Sequence, residues 1–373
     1  MKPLRVLVFF LSSSQYGKYV GGAERRFLEI ATCLKKLNVN MFVLEYKPSL
    51  SETWENPGYH SIRTSRRLIE HAIFETVRMT LKGTIACAAN KCDLVYVPSI
   101  HCFAHSNMVN VVPAYVVSLI FRKPLVIVFH HLMPTDYNDR NFFRYAAYKH
   151  AKVCIAVSQT TADDFRKTFG NLHLAVSSNG VNVARFRNVE NQTKIYDAVF
   201  FGRISEGKGV YTLLKAWKTL VTHLPSAHLL LLGGAESEHT KKSCVEFIEN
   251  LGLSRNVTFS GFVADEEAIR LLKSSKIFVL PSEAEGFGLV VVEAMAAGLP
   301  CVLSNLPALK ENFRSTAVFV EPDDVAGWAE AILNLLGDTN KCADLSKKGE
   351  RLVDRFSWEK VAKRELDILK SVS

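Results

Sequence analysis

The sequence predicts an α/β protein of two domains, each a parallel sheet covered by helices. Three observations predict it. At 373 residues the chain exceeds the size at which one hydrophobic core keeps growing. Short apolar runs alternate throughout with longer amphipathic segments, the pattern of βα units. A polar, aperiodic stretch from the turn dipeptide Asn179-Gly180 to Thr193 divides that alternation into two series, as a linker would.

In the first series, strands are expected at Arg5–Leu11, Met41–Leu44, Leu94–Val97, Leu125–Phe129 and Val153–Val157. Their runs are continuously apolar, which suits strands buried on both faces. Between the first two, Phe27, Ile30, Ala31, Leu34 and Leu37 recur at helical spacing and predict a helix over Ala23–Leu37. The longest apolar stretch, Met108–Phe121, contains Asn110 and Pro113 and is shorter than the roughly 20 residues that cross a bilayer. It reads as a buried helix. The second series runs through Ala198–Phe201, His228–Leu232, Val257–Phe259, Lys276–Leu280, Cys301–Leu303 and Ala317–Val320. Each half is therefore read as a Rossmann-like sheet, the first over residues 1–180 and the second over 194–355. Open sheets of this kind bind ligands beyond the carboxyl ends of their strands.

Composition narrows the function. Hydrophobic residues make up 48% and charged residues 22%, so the whole chain is expected to fold. Lys and Arg number 46 against 37 Asp and Glu, and the net charge of +9 favours anionic partners: phosphates, acidic lipid or nucleic acid. No aromatic-basic motif of a nucleic-acid module is present, so nucleic acid is not expected as a partner. The eight cysteines lie scattered without CxxC spacing and read as reduced thiols, with no metal site. Basic residues precede an apolar run in Lys2–Leu11, but that run is short for a signal peptide and reads better as a first strand, which predicts a cytoplasmic protein.

Two segments carry chemistry. After the strand at Lys276–Leu280 comes Pro281-Ser282-Glu283-Ala284-Glu285-Gly286-Phe287-Gly288-Leu289, then a helix that contains Glu293 and continues toward Pro300. Gly286 and Gly288 allow the backbone close to a ligand, and the helix start near Gly288 and Leu289 points unpaired N–H groups at it, which makes an anion site. Glu293 lies among Val and Ala, where a carboxylate needs a partner. Two Glu at this spacing occur by chance in most chains; the surrounding residues give the pair its meaning. The second segment, Gly202-Arg203-Ile204-Ser205-Glu206-Gly207-Lys208-Gly209, also follows a strand and places two cations five positions apart before a helix. Preplaced cations ease the departure of a diphosphate.

The frame from Pro281 to Pro300 resembles the E-x7-E signature of the family 4 retaining glycosyltransferases (glycosyltransferases group 1). Gly202–Gly209 is similar to the same family's G-R-x-x-x-x-K-G element, and Gly21-Gly22-Ala23-Glu24-Arg25 to its G-G-A-E-R loop. The resemblance implies the GT-B fold, two facing Rossmann-like domains with an inter-domain cleft, and a last helix within about 356–373 that packs back on the first domain. It implies transfer of a hexosyl unit, with retention, from a nucleoside-diphosphate sugar linked to UDP or GDP to the hydroxyl of a glycan or glycolipid acceptor. Arg203 and Lys208 would meet the diphosphate, helped by Gly202, and the loop at Gly21 and Gly22 would approach the donor phosphate or the acceptor. Glu293 would hold the ribose, Glu285, Gly286, Phe287 and Gly288 the sugar, and the backbone amides of Gly288 and Leu289 would assist at the diphosphate. A strand-end His would contact a sugar hydroxyl; register selects His130, with His131 as the alternative. No cofactor and no metal are implied.

Two other readings stay open: an epimerase- or phosphorylase-like enzyme on the same fold, and a partner subunit that binds nucleotide sugar without turnover. The segment Arg63–Lys82, with Arg63, Arg66, Arg67, Arg78 and Lys82 among apolar residues, reads as a basic amphipathic helix. Such a helix either covers its own sheet or rests on an anionic membrane surface at the inner face, as a peripheral protein would.

Overall fold

The computed structural model describes residues 2–11, 22–46, 60–64, 72–99, 106–130 and 142–373. It divides into two compact units, one of residues 1–179 with 358–373, the other of residues 180–357.

The first unit is a seven-stranded parallel sheet in the order β3-β2-β1-β4-β5-β6-β7. The strands are β1 (Leu4–Leu11), β2 (Val39–Tyr46), β3 (His60–Thr64), β4 (Leu94–Val97), β5 (Leu125–Phe129), β6 (Val153–Ala156) and β7 (Leu174–Val176). Helices α1 (Gly22–Lys36), α2 (Ala72–Asn90), α3 (Ser106–Phe121), α4 (Phe142–His150) and α5 (Gln159–Phe169) connect them. β4 and β5 are buried at every position, which is why their sequences are unbroken apolar runs. One apolar core joins Phe9, Val95, Ile127 and Phe129 of the strands to Met79, Val117, Tyr148 and Phe165 of α2, α3, α4 and α5.

The second unit opens with α6 (Val183–Arg187) and forms a six-stranded parallel sheet in the order β10-β9-β8-β11-β12-β13. Its strands are β8 (Tyr196–Phe201), β9 (Leu229–Leu232), β10 (Val257–Gly261), β11 (Ser275–Leu280), β12 (Cys301–Ser304) and β13 (Ala317–Val320). The helices are α7 (Val210–His223), α8 (Glu238–Asn250), α9 (Asp265–Lys273), α10 (Leu289–Ala296), α11 (Pro307–Phe313), α12 (Val325–Gly337) and α13 (Thr339–Val353). The chain order reverses between β8 and β11, as it does between β1 and β4.

The final helix α14 (Trp358–Val372) belongs to the first unit and packs along α1. A buried polar cluster fixes it there. Glu365 forms an ion pair with Arg26, both side chains fully buried, and accepts a hydrogen bond from the Tyr96 hydroxyl. Ser177 Oγ donates to the same carboxylate at 3.2 Å, while Arg26 Nη2 donates to Ser177 O, also at 3.2 Å. Burial alone would lower the Arg26 pKa, but the Glu365 carboxylate more than offsets this and keeps the guanidinium charged. Burial, then Glu365, push the Tyr96 phenol well above its ordinary value.

The structure departs from the sequence reading in several places. Residues 60–64 are strand β3 and the helix begins only at Ala72, so Arg63 lies outside the helix expected over Arg63–Lys82; Arg66 and Arg67 fall outside the described residues. β2 offers β3 a parallel edge, and that tertiary pairing, from Phe42↔His60 to Tyr46↔Thr64, overrides local pattern. α1 ends at Lys36, because Asn38 takes a left-handed φ of 64°, and Leu37 is left 41% exposed. The linker contains α6, capped by the Asn182 side chain accepting from Arg185 N. The helix read as buried over Met108–Phe121 exposes Leu119 and Ile120 at its end. Among the described residues, no helix is long and apolar enough to cross a membrane.

Candidate active site

In an open parallel sheet the strands on either side of the order reversal diverge at their carboxyl ends and leave a crevice between their loops. In the second unit those strands are β8 and β11, and the loops that follow them are the two segments singled out in the sequence. They touch. Glu283 N donates to Gly207 O at 3.0 Å. Gly209 holds φ at 66°, and a Cβ there would lie 1.9 Å from Pro281 O, so only glycine allows this approach. On the other side a Cβ on Gly233, after β9, would lie 2.1 Å from Gly202 O.

The contact brings Lys208 and Glu285 together: Nζ lies 2.6 Å from Oε1, with side chains 28% and 11% exposed. Ser282, fully buried, donates its hydroxyl to the same Oε1 at 3.0 Å. Lys208 thus starts from a bond to a carboxylate that Ser282 keeps in place. Arg203 is different. Its side chain is 64% exposed, and its nearest carboxylate, on Glu236, is 3.9 Å away.

Both helices at this edge start from a left-handed glycine without a side-chain cap, α7 from Gly209 and α10 from Gly288. Their first N–H groups have no intrahelical acceptor, and their positive dipole ends favour an anion. Gly288 has φ 91°, and a Cβ on it would meet Leu309 Cδ2 at 2.7 Å. Gly286 and Leu289 flank this start, half-exposed. Glu293 is buried in α10 beside Val292 and Ala294. Phe287 is 2% exposed and packs edge-on against Phe313 and Phe356. Its side chain anchors the loop from inside the unit, which leaves the Phe287 backbone as the part of this residue open to a ligand.

In the first unit, His130 follows β5, buried, with Nε2 2.8 Å from Pro98 O. A carbonyl only accepts, so Nε2 carries the proton. Gly22 opens α1; Gly21 and His131 lie outside the described residues. Sequence reasoning gave no role to Ser282, Gly209 or Arg26. The first could have been found from its i, i+3 spacing to Glu285; the others depend on contacts distant in the chain. Among the described residues, no group of His, Cys, Asp and Glu is arranged to hold a metal ion. The described cysteines are free, and all but Cys342 are buried.

Two parallel sheets, with paired glycine-rich loops and uncapped helix starts at an order reversal, define a class of open α/β proteins that take ligands beyond the carboxyl ends of their strands. Comparison makes the class specific. The model for Glycosyltransferase Family 4 matches residues 20–185 and that for Glycosyl transferases group 1 matches residues 182–352, so the two together cover most of the chain. The chain belongs to the group 1 (family 4) glycosyltransferases and has their GT-B fold, and it spans about half or less of the length of the first curated relatives it matches. It is 30% identical over 179 residues to a D-inositol 3-phosphate glycosyltransferase of Corynebacterium urealyticum, an alignment spanning 46% of this chain and 42% of that protein. It is 28% identical over 256 residues to a GDP-mannose:cellobiosyl-diphosphopolyprenol alpha-mannosyltransferase of Xanthomonas campestris, spanning 66% and 67%. Among solved structures, Anabaena HepE in complex with UDP-glucose superposes with a TM-score of 0.79 over 99% of this chain and 100% of that one. At 20% identity, that likeness speaks for the fold alone.

Proposed function

We propose that this glycosyltransferase moves a hexosyl unit, with retention, from a nucleoside-diphosphate sugar to the hydroxyl of a glycan or glycolipid acceptor. The observation that carries the reading is the Lys208–Glu285 pair at the β8/β11 reversal, between the starts of α7 and α10. A diphosphate arriving there meets the Lys208 ammonium, the exposed Arg203 guanidinium and the amides at Gly288 and Leu289. Each cation at contact distance contributes about 4 kcal/mol at an effective dielectric near 20, before desolvation losses. The departing phosphate, so neutralised, is a better leaving group.

The remaining roles follow the family resemblance. Glu293 holds the ribose, Glu285 and the backbone of Gly286–Gly288 face the sugar, and His130 meets a sugar hydroxyl. The second unit takes the nucleotide sugar and the first the acceptor. With retention, the acceptor attacks on the face the phosphate leaves, and the phosphate takes the acceptor's proton. A UDP- or GDP-linked donor fits relatives that carry UDP-glucose or use GDP-mannose. The two cations supply positive charge of the kind a metal would bring to the departing diphosphate, and activity independent of divalent ions is the expected result.

Thermal unfolding with UDP, GDP or ADP in EDTA tests this. One nucleotide at a hundredfold over its Kd should stabilise by about 2.7 kcal/mol, and sugar transfer should persist in EDTA. No stabilisation by any nucleotide, with or without its sugar, overturns the reading. Nucleotide binding without turnover on any acceptor or water would point to a binding subunit.

A further inference from the structure

We infer that the outer face of α2 is a docking surface for an anionic lipid bilayer. This deepens the glycolipid-acceptor reading and rests on it only for its purpose, because the observations belong to the first unit alone.

Where side chains of α2 are described, every exposed position is apolar: Phe74, Val77, Leu81, Ile85, Ala88 and Ala89. Phe74, Val77, Leu81 and Ile85 are 65%, 53%, 60% and 68% exposed, and their spacing places them along one stripe. A helix covering its own sheet normally shows the opposite arrangement, apolar inward and polar outward.

Three uncharged side chains of α2 bond back to their own helix. Thr80 Oγ1 donates to Thr76 O at 2.7 Å, Thr84 Oγ1 to Thr80 O at 2.9 Å and Asn90 Nδ2 to Ala86 O at 2.9 Å. Arg78 pairs with the buried Glu75 at 2.8 Å. Side-chain groups bonded within their own helix tolerate an environment without water better than groups that depend on solvent.

The stripe continues onto α3, which packs along α2 and exposes Leu119 and Ile120. Both helices cross between parallel strands, so both run antiparallel to the sheet and end at the same edge. There the chain places Lys91 after α2 and Arg122 and Lys123 after α3.

Charge selects lipid over a second protein copy. The first unit carries 26 Lys and Arg against 15 Asp and Glu, the second 20 against 22, so the net positive charge of the protein resides entirely in the unit that bears the stripe. Two such units repel each other, whereas an anionic surface attracts one.

The test is flotation of the full chain with vesicles of phosphatidylcholine alone or mixed with phosphatidylglycerol. The wild type should float with phosphatidylglycerol vesicles at low salt, and less with added salt. Leu81→Gln/Ile85→Gln keeps good helix formers at exposed positions and should lower vesicle binding by about tenfold or more. Its unfolding midpoint and its stabilisation by nucleotide should stay unchanged. A second variant, Lys91→Gln/Arg122→Gln/Lys123→Gln, should lose the salt-sensitive part of binding.

A wild type that stays unbound, or a stripe variant that floats equally well, overturns the inference. So does a wild-type dimer that the stripe variant converts to monomer, because the occupant is then a second copy. Flotation lost only in the variants, with no nucleotide stabilisation in any sample, would sink the transferase reading and leave the docking face standing.

Discussion

Replacing Glu365 with alanine should cost the first unit more than any other single change to a charged residue of α14. Both Arg26 and Glu365 are fully buried, so the substitution leaves a guanidinium inside the protein with no countercharge. It also removes the acceptor for the Tyr96 and Ser177 hydroxyls. Removing one partner of a buried pair costs about 3–5 kcal/mol, and these lost hydrogen bonds place Glu365→Ala toward the upper end. For a unit of this size, each kcal/mol moves Tm by roughly 2–4 °C. A fall of about 10 °C or more in the transition of the first unit should therefore appear by calorimetry, with amide protection lost first in α1 and α14. The double variant Arg26→Met/Glu365→Leu removes the charge with its partner and should recover much of the loss. A Glu365→Ala protein within about 1 kcal/mol of wild type would refute the reasoning, since no uncompensated charge could then be buried there.

Gly209→Ala should lower stability by at least about 1–2 kcal/mol, from the left-handed backbone alone, and should weaken nucleotide binding further by driving the β8 loop from Pro281 O; Gly207→Ala, with nothing within 4 Å of its Cβ, is the control and should leave unfolding and binding unchanged. At Asp93, burial favours the neutral acid, but the hydrogen bonds and charge of Arg5 prevail and hold its pKa below the ordinary value. A lowered folded pKa means stability that is fully present above the unfolded value of about 4 and is lost as pH falls through the folded one. Urea midpoints of wild type and Asp93→Asn should thus differ at pH 7 and converge below about pH 4; a constant difference would show that the pair contributes nothing through ionisation.

The sequence was informative where one physical cause acts locally. β4, β5, β8 and β11 are apolar runs because both faces of each sheet are covered, and glycines mark the turns that follow β8 and β11. It was silent where the cause lies elsewhere in the chain. Leu174–Val176 is three residues long and only half-buried, so β7 shows no pattern until β6 is beside it. His60–Thr64 is polar in part and becomes a strand because β2 offers an edge. Within the site, Lys208 and Glu285 were each legible, yet their bond was not, because it depends on two loops 77 residues apart meeting at the reversal. Phe287 looked like part of a ligand loop, whereas Phe313 and Phe356 decide its direction.

The return of α14 to the first unit sets an order of events during synthesis. Residues 180–357 are continuous and can fold as soon as they leave the ribosome. The first unit, although translated earlier, waits with Arg26 uncompensated until Glu365 emerges 339 positions later. A chain arrested short of that residue would hold a finished second half and a first half open along α1, a form that proteases and chaperones can distinguish from one with α14 in place.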